Sequence, residues 1–136
     1  MKLTQYTDYS LRVLMYLGSK PDEKVQIDEI AGFYNISKNH LMKVVNHLAN
    51  LEYIKTTRGR GGGIMLNYKP YELKLGDIVR KTEDNFHMAE CFREDNECAL
   101  TNVCGLTPVL GRALNAYLST LDEYTLEDII PKALLR

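Results

Sequence analysis

Residues 37–68 read SKNHLMKVVNHLANLEYIKTTRGRGGGIMLNY, and two different periodicities meet inside them. In the first half, Leu41, Val44, Val45, Leu48 and Leu51 recur at helical spacing, which predicts a helix over about 38–51 with one buried stripe. Ser37 stands in front of it as a good N-cap. In the second half, two β-prone runs, 53–57 and 64–68, flank a tip containing Gly59, Gly61, Gly62 and Gly63. That pattern reads as a hairpin with a glycine-permitted turn. The charge is as uneven as the periodicity. Residues 37–60 hold five Lys/Arg (Lys38, Lys43, Lys55, Arg58, Arg60) against one acid, Glu52.

Working outward, residues 7–18 place Leu11, Val13, Leu14 and Leu17 on one side of a helix that ends near Gly18. A short helix over about 27–34 follows, with Ile27, Ile30, Ala31 and Tyr34 at helical spacing, then a break at Asn35-Ile36-Ser37. Helix, short helix, tight turn, helix and hairpin is the order of a winged helix-turn-helix. Recognition helices enter the major groove N-terminus first, and Lys38, Asn39, His40 and Lys43 crowd the first turn and a half of the third helix. Asn39 suits adenine, Lys38 or Lys43 suit guanine or phosphate, and the Ser37 end of the helix attracts phosphate. Arg58 and Arg60 on either side of Gly59 suit a narrow minor groove, which the glycines let the backbone approach. A polar first turn on one helix alone is usually just solvated; the basic helix and basic tip together, in this order, point to double-stranded DNA. GRGGG is not a nucleotide loop, because no Lys-Ser/Thr follows it. His47 reads as an ordinary surface residue.

Downstream, Leu75, Ile78 and Val79 suggest a short helix. Thr107 as N-cap and Pro108 at the first position then open a long helix, about 108–123, with Leu110, Ala113, Leu114, Tyr117, Leu118 and Leu121 on one face. That face suits pairing with a second copy, although packing within the chain accounts for part of it. A capping box from Thr125 to Asp128 starts a terminal helix. The expected architecture is mainly α: a winged helix-turn-helix over 1–80, a cysteine loop over 81–106, and a dimerisation helix with a terminal helix over 107–136. With 45% apolar residues in 136, the chain can bury a core without disulfides. Its net charge is -1, no apolar run approaches membrane-spanning length, and the expected location is the cytoplasm.

The three cysteines, Cys91, Cys98 and Cys104, all fall in CFREDNECALTNVC. Around them the charge reverses, with six acids against Arg93 in residues 82–98. Six residues separate the first pair and five the second, wider than a zinc knuckle or a redox CxxC motif. A loop of that kind can wrap something sizeable, and three thiolates can grip three corners of an iron–sulfur cluster. Zinc and three unrelated reduced thiols are the alternatives, though unligated cysteines are usually buried as small hydrophobes. A fourth ligand is wanting, and His87, four residues before Cys91, is the local candidate.

YTDYSLRVLMYL, ISKNHLMKVVNHLANLEYI, RGRGGGIML, GDIVRKTED and the three-cysteine loop together resemble the dimeric winged-helix repressors of NsrR and IscR type, over essentially the whole chain. The resemblance is greater to the nitric-oxide-sensing type. It implies a homodimer on a palindromic operator, with one cluster per subunit and nitric oxide as effector. In the NsrR type an aspartate near the N-terminus, donated by the other subunit, completes a 4Fe–4S cluster; a 2Fe–2S cluster is the other form. That aspartate matches Asp8. Members of IscR type use a histidine three residues after the third cysteine, where this chain has Thr107. The six-residue first spacing is one longer than is usual in the family. Without any ligand role, Asp8 would be a helix N-terminal carboxylate paired with Arg12. Two rival functions remain: a metal-free repressor with thiol sensors, and an electron-transfer or cluster-donor module without DNA affinity. No nucleophile–base pair or cofactor fingerprint suggests an enzyme.

Overall fold

The apolar stripes of three helices converge, and their meeting place is the core. The computed structural model describes residues 2–135. In chain order they form α1 (Gln5–Gly18), α2 (Ile27–Tyr34), α3 (Lys38–Asn50), β1 (Ile54–Thr57), β2 (Gly63–Leu66), α4 (Leu75–Thr82), α5 (Leu106–Asp122) and α6 (Leu126–Ile129). Single 3-10 turns lie at Pro70–Glu72, Glu90–Phe92 and Lys132–Leu134. Val13, Leu14 and Leu17 of α1, Ile30 of α2, and Leu41, Val44, Val45 and Leu48 of α3 are buried together. Each such side chain contributes about 1.5–3 kcal/mol of burial. Asn35 turns the chain between α2 and α3 in the left-handed conformation that Asn tolerates, at φ 56°. Ile54 and Ile64 of the hairpin and Ile78 of α4 close the core from the other side.

The hairpin is antiparallel, with Ile54 opposite Leu66 and Thr57 opposite Gly63. Val25 adds a single antiparallel bridge to this two-stranded sheet: it exchanges two backbone bonds with Ile64, at 2.9 and 2.8 Å. Gly62 is the tip glycine that close packing demands most strongly. A Cβ there would stand 2.1 Å from the Thr57 carbonyl oxygen.

Two helix starts differ from the sequence expectation. α1 begins at Gln5, not residue 7, because Thr4 caps it by accepting from the Thr7 backbone N–H at 3.3 Å. α5 begins at Leu106 with Gly105 in the N-cap position, so Thr107 is not its cap and Pro108 is its third residue. The Thr107 hydroxyl is engaged elsewhere, by a cysteine sulfur. The strands are also shorter than expected, with Tyr53 and Tyr68 outside them.

The terminal helix, grouped with the dimerisation helix in the expected division, packs against α1 and the Pro70–Glu72 turn. Leu126 and Ile130 are buried there, and the Leu126 N–H donates to the Leu73 carbonyl at 2.8 Å. The expected capping box forms, with Asp128 accepting from the Thr125 N–H at 2.8 Å. α5 instead lies along α4, pinned by a two-pronged bond from Arg80 to Asp122 at 2.6 and 2.9 Å. It has no buried residue of its own. Among the described residues no helix is long and apolar enough to cross a membrane.

Candidate nucleic-acid interface and thiol site

The N-terminal end of α3 is built as a recognition helix requires. Ser37 accepts from the His40 backbone N–H at 3.2 Å, which satisfies one of the end groups an α-helix leaves open. Asn39 and Lys43 are exposed beside it. Lys38 is exposed too but reaches back 3.0 Å to Asp28 of α2. Exposed pairs of this kind are worth little, so a phosphate can exchange for the carboxylate. The His40 ring stands edge-on to Tyr9 of α1, centroids 5.0 Å apart, which fixes its direction. His47, expected as an ordinary surface side chain, is exposed but rests edge-on against Tyr6 at 5.0 Å.

At the hairpin tip, Arg58 and Arg60 are exposed, and neither forms an ion pair among the described residues. Gly59 and Gly61 adopt φ of +88° and +74°, and the Gly62 N–H closes the turn on the Gly59 carbonyl at 3.0 Å. Those positive angles are why glycine alternates with arginine.

The cysteines are free and half-buried. Cys104 does what an oxygen cap would do for α5: its sulfur accepts from the Leu106 N–H at 3.3 Å. The N–H groups of Leu106 and Thr107 outweigh partial burial and hold this thiol below its ordinary value. The Thr107 hydroxyl donates to the Cys91 sulfur at 3.1 Å, so Thr107 meets two of the three cysteines, Cys104 through its N–H and Cys91 through its hydroxyl. Cys98 is held only through its carbonyl, which accepts from the Thr101 N–H and hydroxyl at 3.2 and 2.6 Å. Among the described residues, no three His, Cys, Asp or Glu side chains stand close enough to hold a metal ion. The donor set nevertheless fits an iron–sulfur group, with three accessible thiols on one segment and amide donors already directed at one sulfur. His87 is not among the thiols; it lines a hollow with Thr4 and Glu83.

Asp8 lies in the first turns of α1, and Arg12 occupies both its oxygens at 3.0 and 3.1 Å, as expected for a carboxylate without a ligand role. The Arg12 guanidinium also stands 5.5 Å from the Tyr9 ring and 5.8 Å from that of Tyr34. Tyr9 is thus shared between Asp8's partner and His40 of the recognition helix.

Several contributing residues escaped the sequence reading. Glu83, at the end of α4, accepts from the Thr4 N–H at 3.1 Å, the Thr4 hydroxyl at 2.6 Å and the Thr7 hydroxyl. Burial pushes its carboxyl up, but these bonds together hold it below its ordinary value. Arg80, Asp122 and Gln26 were missed with it: Arg80 has Asp77 three residues before it at 3.7 Å, but its closer bond to Asp122 and the reach of Gln26 to Gly62 both span distant parts of the chain. For Gln26 one signal existed: it fills an N-cap position for which glutamine is poorly suited.

Residues 3–132 match the Rrf2 family, described as iron-dependent transcriptional regulators. The chain belongs to the Rrf2 family. It is 55% identical, over 96% of its length and 92% of the relative's, to the HTH-type transcriptional regulator NsrR of Bacillus licheniformis. It is 54% identical to NsrR of Bacillus subtilis, over 96% of this chain and 90% of that one. Among solved structures it resembles CymR, the global cysteine regulator of B. subtilis, with a TM-score of 0.76, 29% identity and 96% of each chain covered. It shares its fold with T. potens IscR at a TM-score of 0.78 and 22% identity, covering 98% and 88% of the two chains. Like its Rrf2 relatives, the chain is a winged-helix transcriptional regulator and not an enzyme.

Proposed function

We propose that this Rrf2 regulator is a repressor whose grip on a palindromic operator is set by an iron–sulfur cluster that responds to nitric oxide. The observation that carries the reading is the pair of sulfurs at the start of α5, Cys104 under two backbone N–H groups and Cys91 under the Thr107 hydroxyl. Identity of 55% to a regulator named NsrR supports the same assignment. Cys91, Cys98 and Cys104 would hold the cluster, of 4Fe–4S type, with Asp8 of the partner subunit as fourth ligand. The chemistry a bound cluster supplies is an iron centre open to attack by nitric oxide.

What the chain's own residues do follows from their contacts. An iron held by Asp8 would compete with Arg12 for a carboxylate that already accepts one bond on each oxygen. Arg12 touches Tyr9, and Tyr9 touches His40, so the competition is felt at the N-terminal end of α3. The exposed apolar side chains Leu106 and Val109, 57% and 61% accessible, give α5 a surface for a second copy of the chain. Two α3 helices fixed by that pairing span two half-sites one helical turn apart. A shift worth about 1.4–3 kcal/mol between two arrangements changes operator affinity ten- to about a hundredfold.

Iron and acid-labile sulfide assays on anaerobically purified protein test the cluster. Both elements are expected in the native protein and lost from Cys98→Ala, which touches no other structural bond of its side chain. Native protein with neither iron nor sulfide, yet with thiol-dependent operator binding, would favour the metal-free thiol sensor.

A further inference from the structure

Gln26 occupies the N-cap position of α2, with extended backbone angles of -83° and 144°, but its side chain makes no capping bond. Ser, Thr, Asp and Asn dominate that position because their short side chains reach the open N–H groups of the first turn. The glutamine amide is aimed elsewhere. Its Nε2 donates to the carbonyl oxygen of Gly62, across 36 positions of sequence. A carbonyl only accepts, so the amide nitrogen must face it.

Gly62 is the last residue of the turn Gly59–Gly62, which holds Arg60 and follows directly on Arg58. Its N–H closes the turn on Gly59, and its carbonyl is the acceptor nearest the tip that any residue of α2 or its cap engages. The backbone bridge between Val25 and Ile64 anchors the hairpin two residues further down. Gly62 is buried against Thr57 with no room for a Cβ, so the carbonyl that Gln26 holds cannot turn independently of the tip. α2 in turn is fixed against α3 through Ile30 in the core.

We propose that Gln26 is a positioning residue for DNA binding: by holding the Gly62 carbonyl it sets the angle of Arg58 and Arg60 relative to the reading end of α3. The inference rests on the reading of the tip as a DNA-contacting wing. Gln26 itself touches no DNA in this account. It forgoes a helix cap in order to brace the wing, and that makes its two effects separable.

The test is a four-protein comparison on full-length dimer: native, Gln26→Ser, the pair Arg58→Ala/Arg60→Ala, and all three substitutions together. Serine is a good N-cap but is too short to reach Gly62. Gln26→Ser is therefore expected to keep or raise the melting temperature while weakening operator binding about five- to tenfold, the size of one well-placed hydrogen bond. The slope of log affinity against log salt is expected to fall by about 1, because the two arginines no longer enter the negative potential of the groove together. Adding Gln26→Ser to the double arginine variant is expected to cost nothing further, since the brace then has no arginine to position. Full affinity in Gln26→Ser, or an equal loss with and without the arginines, overturns the positioning role while leaving the wing intact. Unchanged affinity and salt slope in Arg58→Ala/Arg60→Ala removes the wing reading and the inference with it.

Discussion

Residues 5–82 bury side chains from every helix and both strands, whereas between residues 83 and 125 no side chain is buried at all. The first region is held by a shared apolar core and its caps. The second leans on polar contacts, Thr107 on Cys91, Cys104 on the start of α5 and Arg80 on Asp122, and meets the core only at its end, where Leu121 packs against it and the Tyr124 carbonyl accepts from the Leu75 N–H. Elements that respond to signals are drawn from the weakly held end of a structure, because only there can a small chemical change alter the conformation. The contrast therefore divides the labour. The well-packed region presents α3 and the hairpin in a fixed arrangement, and the open region presents thiols and an apolar helix face.

The comparison is broken most severely from the core side. Leu48 is fully buried in α3, and Leu48→Ala is expected to cost about 2–5 kcal/mol in urea denaturation. Val103→Ala, at a site 78% exposed in the thiol segment, is expected to fall within about 0.5 kcal/mol of the native protein. Equal losses at the two sites would mean that the segment is packed as tightly as the core.

A smaller effect probes the junction. The Glu83 carboxyl lies below its ordinary value, so the stability it contributes is present above about pH 4.5 and is lost as pH falls through its folded value. Glu83→Gln is expected to flatten the fall of melting temperature on acidification below pH 4.5 and to leave the neutral-to-alkaline limb unchanged. An unaltered acid limb would show that Thr4 and Thr7 do not hold this carboxylate in solution.

The smallest effect on folding belongs to the sulfurs. Cys98→Ala, whose lost side chain makes no bond, is expected to change stability by no more than about 0.5 kcal/mol while abolishing iron retention. A large loss of stability without iron would make Cys98 a packing residue.

The same contrast decides what the amino-acid sequence made legible. α3 is readable because its stripe, its Ser37 cap and its basic first turn are local features that agree with one another, and the hairpin is readable because its turn requires glycine. The start of α5 is not, because an ordinary Thr-Pro signal was overridden by Cys104, a sulfur cap that no local rule anticipates. Lys38 was read as suited to guanine or phosphate, and its pairing with Asp28 on another helix left no sign in the sequence. The pairing of Asp8 with Arg12 was legible from their four-residue spacing, whereas Gln26–Gly62 and Glu83–Thr4 join distant parts of the chain and leave no periodic trace. The thiols could be read as a candidate ligand set from their grouping, but which two meet the same residue, Thr107, depended on where α5 begins.

The central claim is that a cluster at these cysteines sets the grip of α3 and the arginine tip on DNA. Operator affinity of the anaerobic, iron-loaded protein, measured before and after titration with nitric oxide, tests it most directly. The account expects a fall of at least about tenfold, corresponding to roughly 1.4 kcal/mol, with no loss of helical content. Affinity that stays the same after the iron has reacted would contradict it.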